Sequence, residues 1–259
     1  MFILRKTKKF IRITLIVLLL LVFSFSLYQI ISTICHYSES EETYKDIVAN
    51  VVTIKDADDI NEQEGEKIEQ APITVDFNAL LSQNKDVVGW LYCENTPVNY
   101  PIVQSDDNDY YLRRMLNGKY NIAGTVFMDY RCHSDYSSLN TIIYGHNMKN
   151  DSMFGTFTDY KSQEYYDEHP IIWLLTPEVN YKIELMAGYV TPSDSDAYSE
   201  FISHEELYEY IQEAKNKSTF SSPLTCSSED RIVTLSTCSY EYDTARYVLV
   251  GKLSSLEDE

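Results

Sequence analysis

Twenty-two residues, Ile13 to Ile34, form an almost unbroken apolar run, and this run dictates how the rest of the chain can be arranged. Only hydroxyl residues, Tyr28 and Gln29 interrupt it. At about 1.5 Å of rise per residue, a helix of this length crosses the roughly 30 Å hydrocarbon core of a bilayer. Arg5, Lys6, Lys8, Lys9 and Arg12 precede it and an acidic segment follows. The positive-inside rule therefore predicts a cytoplasmic basic arm over residues 1–12 and a transmembrane signal anchor over 13–34. Everything beyond would be extracellular, on a single-pass protein of the cell membrane. The run is too long for a secretory leader and lacks a small-x-small cleavage site, so it reads as an anchor that is retained.

The charge supports this division. The whole chain carries −19, but five of its 21 basic residues precede the run and none of its 40 acidic ones do. The part beyond is therefore at −24, a surface that repels phosphates and argues against nucleic-acid binding. Five cysteines, Cys35, Cys93, Cys132, Cys226 and Cys238, leave at least one free thiol in an exported chain. No Cys or His pair has the spacing of a structural zinc site.

Residues 35–71 read as an acidic extracellular spacer with Ser38-Glu-Ser-Glu-Glu and Asp56-Ala-Asp-Asp. Ile47, Val48, Val51, Val52 and Ile54 interrupt it as a short helix or strand expected to add little core. The globular domain is expected over 72–259. Asp76 is placed to cap a short helix carrying Phe77, Leu80 and Leu81. Short apolar segments around Val87–Tyr92, Val98–Gln104, Gly124–Asp129, Asn140–Tyr144, Ile171–Leu175 and Tyr181–Ala187 read as strands. One clear helix begins at Ser203, where Ser203-His-Glu-Glu206 forms a capping box and Leu207, Tyr210, Ile211 and Ala214 share a face. Two further strands follow, Arg231–Cys238 and one opening at Arg246. Many short strands with one inserted helix predict a mainly β, closed or nearly closed barrel.

The last two strands carry the chemistry. Cys238 ends one and Arg246 opens the next, while His146 follows the apolar strand Asn140–Tyr144 and Gly145. A cysteine there could be mere packing. Strand-end Cys, His and Arg in one β domain instead meet where barrel sites form. A free thiol is only about 3% thiolate at neutral pH, and neighbouring cations favour the charged form. An imidazole can exchange protons with departing and incoming amines. An arginine, always charged and planar, can hold a carbonyl oxygen or its oxyanion. Acyl transfer through a thioester is the chemistry implied.

Thr234-Leu-Ser-Thr-Cys238 with Arg246, and Tyr144-Gly-His146-Asn-Met148, resemble the signature segments of sortases of the class B type. The likeness extends through Asp86-Val-Val-Gly-Trp90, Pro101-Ile-Val-Gln104, Asp107-Asn-Asp-Tyr-Tyr-Leu112, Gly124–Asp129 and Met153-Phe-Gly155, covering about residues 74 to 253. It implies a membrane-anchored cysteine transpeptidase of a Gram-positive-type surface. Such an enzyme cleaves an NPxTx- or xPxTG-like sorting motif of an exported protein after its threonine. It then passes the thioacyl intermediate to a peptidoglycan-precursor amine. Motif matching makes Cys238 the nucleophile, His146 the general acid and base, and Arg246 the oxyanion and substrate clamp. Asn108, Leu112, Tyr144, Ser236 and Thr237 fall on the family's substrate groove, with Tyr198 as a further candidate. The implied fold is an eight-stranded barrel with N-terminal helices and a long helix between strands six and seven, which Ser203 to about Lys217 fits. Ser239 and Tyr240 stand between the cysteine and Glu241, a departure that leaves no carboxylate assigned to the chemistry. No calcium loop has a counterpart, so neither metal nor cofactor is expected.

Other readings make different demands. Papain-like peptidases place Cys before His, whereas here His146 precedes Cys238 by 92 residues. An L,D-transpeptidase carries its Arg two residues past the Cys, not eight. A pilin-polymerising sortase keeps the same site with another acceptor, and a non-enzymatic surface module would tolerate loss of Cys238.

Overall fold

The computed structural model describes residues 2–55, 70–201, 203–227 and 229–256. Helix α1 (Phe2–Val51) is continuous through the apolar run and into the segment expected to be spacer. By length and composition it is apolar enough to cross a membrane, and none of its most apolar window is buried by the rest of the chain. Its far end behaves differently. Tyr44, Ile47 and Val51 are buried in the main core, so this part of the spacer contributes packing after all. The reason is helical periodicity: these residues recur at i, i+3 and i+7 on one face, with acidic neighbours on the other. Strand β1 (Val52–Ile54) then pairs antiparallel with β2 (Ile73–Val75). The acidic stretch from Asp56 to Asp59 lies outside the described residues.

Helix α2 (Phe77–Gln83) starts where expected, its cap Asp76 accepting from the Ala79 amide at 2.9 Å. Eight strands follow: β3 (Val87–Tyr92), β4 (Asn99–Val103), β5 (Val126–Met128), β6 (Asn140–Tyr144), β7 (Ile171–Leu175), β8 (Tyr181–Pro192), β9 (Arg231–Cys238) and β10 (Ala245–Ser255). They close into a mixed barrel in the order β3-β4-β5-β6-β9-β10-β8-β7. A short α3 (Gln163–Glu168) lies between β6 and β7. The longer α4 (His204–Lys217) lies between β8 and β9, the sixth and seventh barrel strands. Ser203 caps α4 by accepting from the Glu206 amide.

Trp90, Ile102, Val126, Ile183, Leu235 and Leu249 fill the barrel with essentially no exposure. Leu207, Tyr210, Ile211 and Ala214 of α4 seal a second cluster against Met186, Ile232, Val248 and Val250 on the barrel's outer face. Each fully buried aliphatic side chain contributes roughly 1.5–3 kcal/mol.

Two of the eight barrel pairings are parallel, β4 with β5 and β6 with β9. Parallel strands cannot be joined by a tight turn, so the chain makes long excursions before returning. The β6–β9 pairing has a direct consequence for the site. It puts the C-terminal ends of both strands at one end of the barrel, and antiparallel β10 starts there as well.

Candidate active site

His146, Cys238 and Arg246 meet at that barrel end because of this strand arrangement. Tyr144 is the register partner of Ser236, and the Gly145 amide donates to the Ser236 carbonyl, so β6 ends beside β9. Arg246 is the direct register partner of Cys238 across β9 and β10. Asn147 Nδ2 donates to the Cys238 carbonyl at 2.8 Å and ties the segment after His146 to the cysteine. Gly145 permits the close packing: a Cβ there would lie 2.6 Å from the Phe154 ring.

A cavity of about 700 Å³ opens at this end. All nine residues singled out from sequence line it: Asn108, Leu112, Tyr144, His146, Tyr198, Ser236, Thr237, Cys238 and Arg246. Tyr144 and Tyr198 stack with ring centroids 6.1 Å apart and planes within 10°, making an aromatic wall. The Tyr198 hydroxyl is bonded to Ser236 Oγ at 2.8 Å. Thr237 Oγ1 is buried and has no partner among the described residues.

The family assignment follows from comparison with known proteins. The sortase domain family matches residues 91–254. The chain is 41% identical over 177 residues to Sortase B of Listeria monocytogenes, covering 67% of this chain and 72% of that one. This protein belongs to the sortase family, in class B. Solved structures agree on the fold. The Staphylococcus aureus sortase B–substrate complex superposes with a TM-score of 0.66 at 32% identity, covering 69% of this chain and 84% of that one. Sortase B from B. anthracis in complex with AAEK2 superposes with a TM-score of 0.70 at 31% identity, over 85% and 97% of the two chains. The chain is thus a cysteine transpeptidase on an eight-stranded barrel, with the long helix between its sixth and seventh barrel strands.

In this sortase His146 is half-buried and its Nε2 lies 2.7 Å from the Leu112 carbonyl. A carbonyl only accepts, so Nε2 carries the proton of the neutral ring and Nδ1 is left as its proton acceptor. Burial pushes the imidazole pKa below its usual value. The Leu112 bond opposes that shift, while Arg113 and Arg246 reinforce it. The neutral ring is therefore the resting form at pH 7. Glu241, the first acidic residue after the cysteine, is bonded by Lys161 and by Ser239 Oγ. All five cysteines are free thiols, with Cys93 and Cys132 buried.

The cavity also contains groups that sequence reasoning passed over, chiefly Thr125, Asp129, Arg131 and the loop Ser193–Ser195. Asp129 is fully buried. Burial alone would resist its ionisation, but bonds from Arg131, Tyr144 and Asn108 outweigh it and hold the carboxyl at a pKa of about 2. The available signal was its place, a carboxylate directly after the apolar strand Val126–Met128.

Proposed function

We propose that this sortase joins exported proteins to an amine of the cell surface, with Cys238 as nucleophile, His146 as acid and base, and Arg246 as clamp. The observation that carries this reading is the in-register pairing of Cys238 with Arg246 inside the cavity that His146 also lines. The cysteine thiol gives its proton to His146 as its sulfur attacks the carbonyl carbon of the motif threonine. Arg246 stabilises the oxyanion, a contact whose loss costs roughly 3–4 kcal/mol in comparable sites. The amide C–N bond then breaks, the leaving amine takes the proton from His146, and a thioester remains on Cys238. An acceptor amine attacks that thioester and loses a proton to His146, and the sulfur departs to be reprotonated. One amide is exchanged for another, and no redox partner is needed.

The substrate is a peptide carrying an NPxTx- or xPxTG-like sorting motif, held along Asn108, Leu112, Tyr144, Ser236, Thr237 and Tyr198. The acceptor is a peptidoglycan-precursor amine of the lipid II kind. Helix α1 anchors the enzyme in the cell membrane with residues 1–12 in the cytoplasm and the barrel outside. In support, the S. aureus relative was solved with a substrate bound, and α1 has the length and apolarity of a membrane span.

The test is a panel of quenched peptides carrying either motif, offered to the ectodomain with and without a small amine. Cleavage of at least one peptide is expected, with a thioacyl adduct on Cys238 by intact mass and none on Cys238→Ala. No cleavage and no adduct across the panel would sink the proposal.

A further inference from the structure

One ion pair, a buried carboxylate and a partly exposed guanidinium, underlies three sides of the groove. Asp129 follows β5 and has no exposed surface. Its Oδ1 accepts from the Arg131 amide at 3.0 Å and from Arg131 Nε at 2.9 Å. Its Oδ2 accepts from Arg131 Nη2 at 2.9 Å, from the Tyr144 hydroxyl at 2.8 Å and from Asn108 Nδ2 at 3.0 Å. The guanidinium reaches further, donating from Nη2 to the Tyr198 carbonyl at 3.3 Å and pairing with Glu200 through Nη1 at 3.4 Å. Asn108 is held from its other side too, its Oδ1 accepting from the Tyr130 amide at 3.1 Å. The loop after β4, the end of β6 and the segment before α4 are thus fastened to a single carboxylate–guanidinium fork.

Stability alone does not account for such a pair. Burying the Asp129 carboxylate costs desolvation that offsets much of the Coulomb attraction, and the partly exposed guanidinium is screened by solvent. What the pair supplies is direction, since a planar fork fixes its partners' angles in a way that apolar contact does not. The partners here are groove residues rather than the groups that make and break bonds.

We propose that Asp129 and Arg131 are positioning residues that hold Asn108, Tyr144 and Tyr198 in the geometry that binds the sorting peptide. The inference rests on the reading of this cavity as the peptide groove. Asp129 commits the Tyr144 proton, so that hydroxyl offers an incoming peptide only oxygen lone pairs. Arg131 sets the backbone of Tyr198 and so the tilt of the aromatic wall. Neither residue takes part in proton transfer, and thioester chemistry at Cys238 proceeds without them once a peptide is seated.

The test compares wild type, Arg131→Lys, Arg131→Gln and Asp129→Asn for kcat and KM on a peptide that wild type cleaves. Alkylation of Cys238 by iodoacetamide and the thermal midpoint are measured alongside. Failure of wild type to cleave any peptide strikes the groove reading itself and is seen before any variant is made. The expected result is a tenfold or greater loss in kcat/KM for Arg131→Lys and Arg131→Gln, carried mainly by KM. Alkylation should stay within twofold of wild type in protein still folded at the assay temperature. Arg131 is partly exposed, so its variants keep the test open if Asp129→Asn fails to fold. Asp129→Asn and Tyr144→Phe should also be non-additive, the double variant losing less than the product of the two single losses, because both changes act on the Asp129–Tyr144 bond. Folded Arg131 variants with kcat/KM within threefold of wild type would overturn the proposal. So would a loss that falls on kcat and on alkylation together, which would mark the pair as part of the reacting centre or of the general fold.

Discussion

The hydroxyl of Tyr44, on α1, donates to the Gly124 carbonyl at 2.7 Å and lies 2.9 Å from Thr125 Oγ1. This joins the helix that continues from the apolar run to the loop behind the candidate active site. Thr125 Oγ1 donates to the Arg114 carbonyl and its amide to the Tyr111 carbonyl, which brackets Leu112. Leu112 in turn accepts from His146. Hydrogen bonds together with the intervening backbone of residues 111–114 therefore link α1 to the imidazole, supported by Asn121 Nδ2 donating to the His36 carbonyl.

Tyr44→Phe keeps the ring, which packs edge-on against Tyr100, and removes the hydroxyl. Leaving a buried acceptor short of its donor costs on the order of 1–3 kcal/mol. Urea unfolding of an ectodomain beginning at residue 37 should show a lower midpoint with an unchanged slope. An ectodomain beginning at residue 70 loses Tyr44, Ile47, Val51 and strand β1 together and should unfold earlier still. Equal midpoints for all three would mean that α1 is only a tether.

Arg246→Lys should lower kcat/KM by about 10²–10³, because an ammonium cannot reproduce the planar donors at a developing oxyanion. Arg246 sits on β10 opposite Cys238, so folding should be little affected. Single-turnover assays should show slow acylation with the thermal midpoint nearly unchanged. Near-wild-type acylation would remove the clamp from the mechanism.

Acid stability should depend on Asp129. Its carboxyl is held at about 2 in the folded protein against about 3.9 when unfolded. A depressed carboxylate stabilises the fold above the unfolded value, and that contribution is lost as pH falls through the folded one. Roughly 2 kcal/mol should disappear between about pH 4 and pH 2. Unfolding curves of wild type and Asp129→Asn should differ at pH 6 and converge towards pH 2. A constant gap would assign the acid sensitivity to other carboxylates.

Much of this architecture is legible in the sequence because it is local. Ser203 and Glu206 announce the start of α4, Asp76 that of α2, and the apolar segments from Val87 onward mark the barrel strands. Cys238, His146 and Arg246 stand out because each lies at a strand end beside a motif. Two features escape for a common physical reason. Tyr44, Ile47 and Val51 sit among acidic residues, and their burial depends on partners some 50 to 80 positions away. Asp129 and Arg131, two apart in the chain, look like a charged turn until β5 and β6 pair and Asp129 is buried while Arg131 stays partly exposed. Non-local burial turns an ordinary polar residue into a structural one, and spacing along the chain does not report it.

His146 should titrate below the usual histidine value of about 6.5. The ring is held neutral in the folded state, so protonation favours the unfolded chain. Stability should decline as pH falls below about 6.5 and level off once the folded value is passed. Arg113→Gln removes one of the charges that depress the imidazole and should raise its NMR midpoint. A midpoint at or above that of a free histidine in wild type would contradict the burial seen here.

Gly124→Ala tests the same imidazole from behind. Gly124 has φ of +60°, and a Cβ there would lie 2.6 Å from the carbonyl oxygens of both Leu112 and Tyr111. A methyl group meets backbone on two sides, in a conformation that costs an L-residue on the order of 1 kcal/mol before any clash. The loop must move, and Leu112 is the carbonyl that His146 engages. Because that bond raises the imidazole pKa against the effect of burial, loosening it should lower the His146 midpoint further than in wild type. The same displacement leaves the ring less firmly oriented, so kcat should fall more than KM rises. Peptide kinetics and a histidine titration on the one folded variant check both. A variant with unchanged kcat and an unchanged midpoint would show that the Leu112 carbonyl does not position His146.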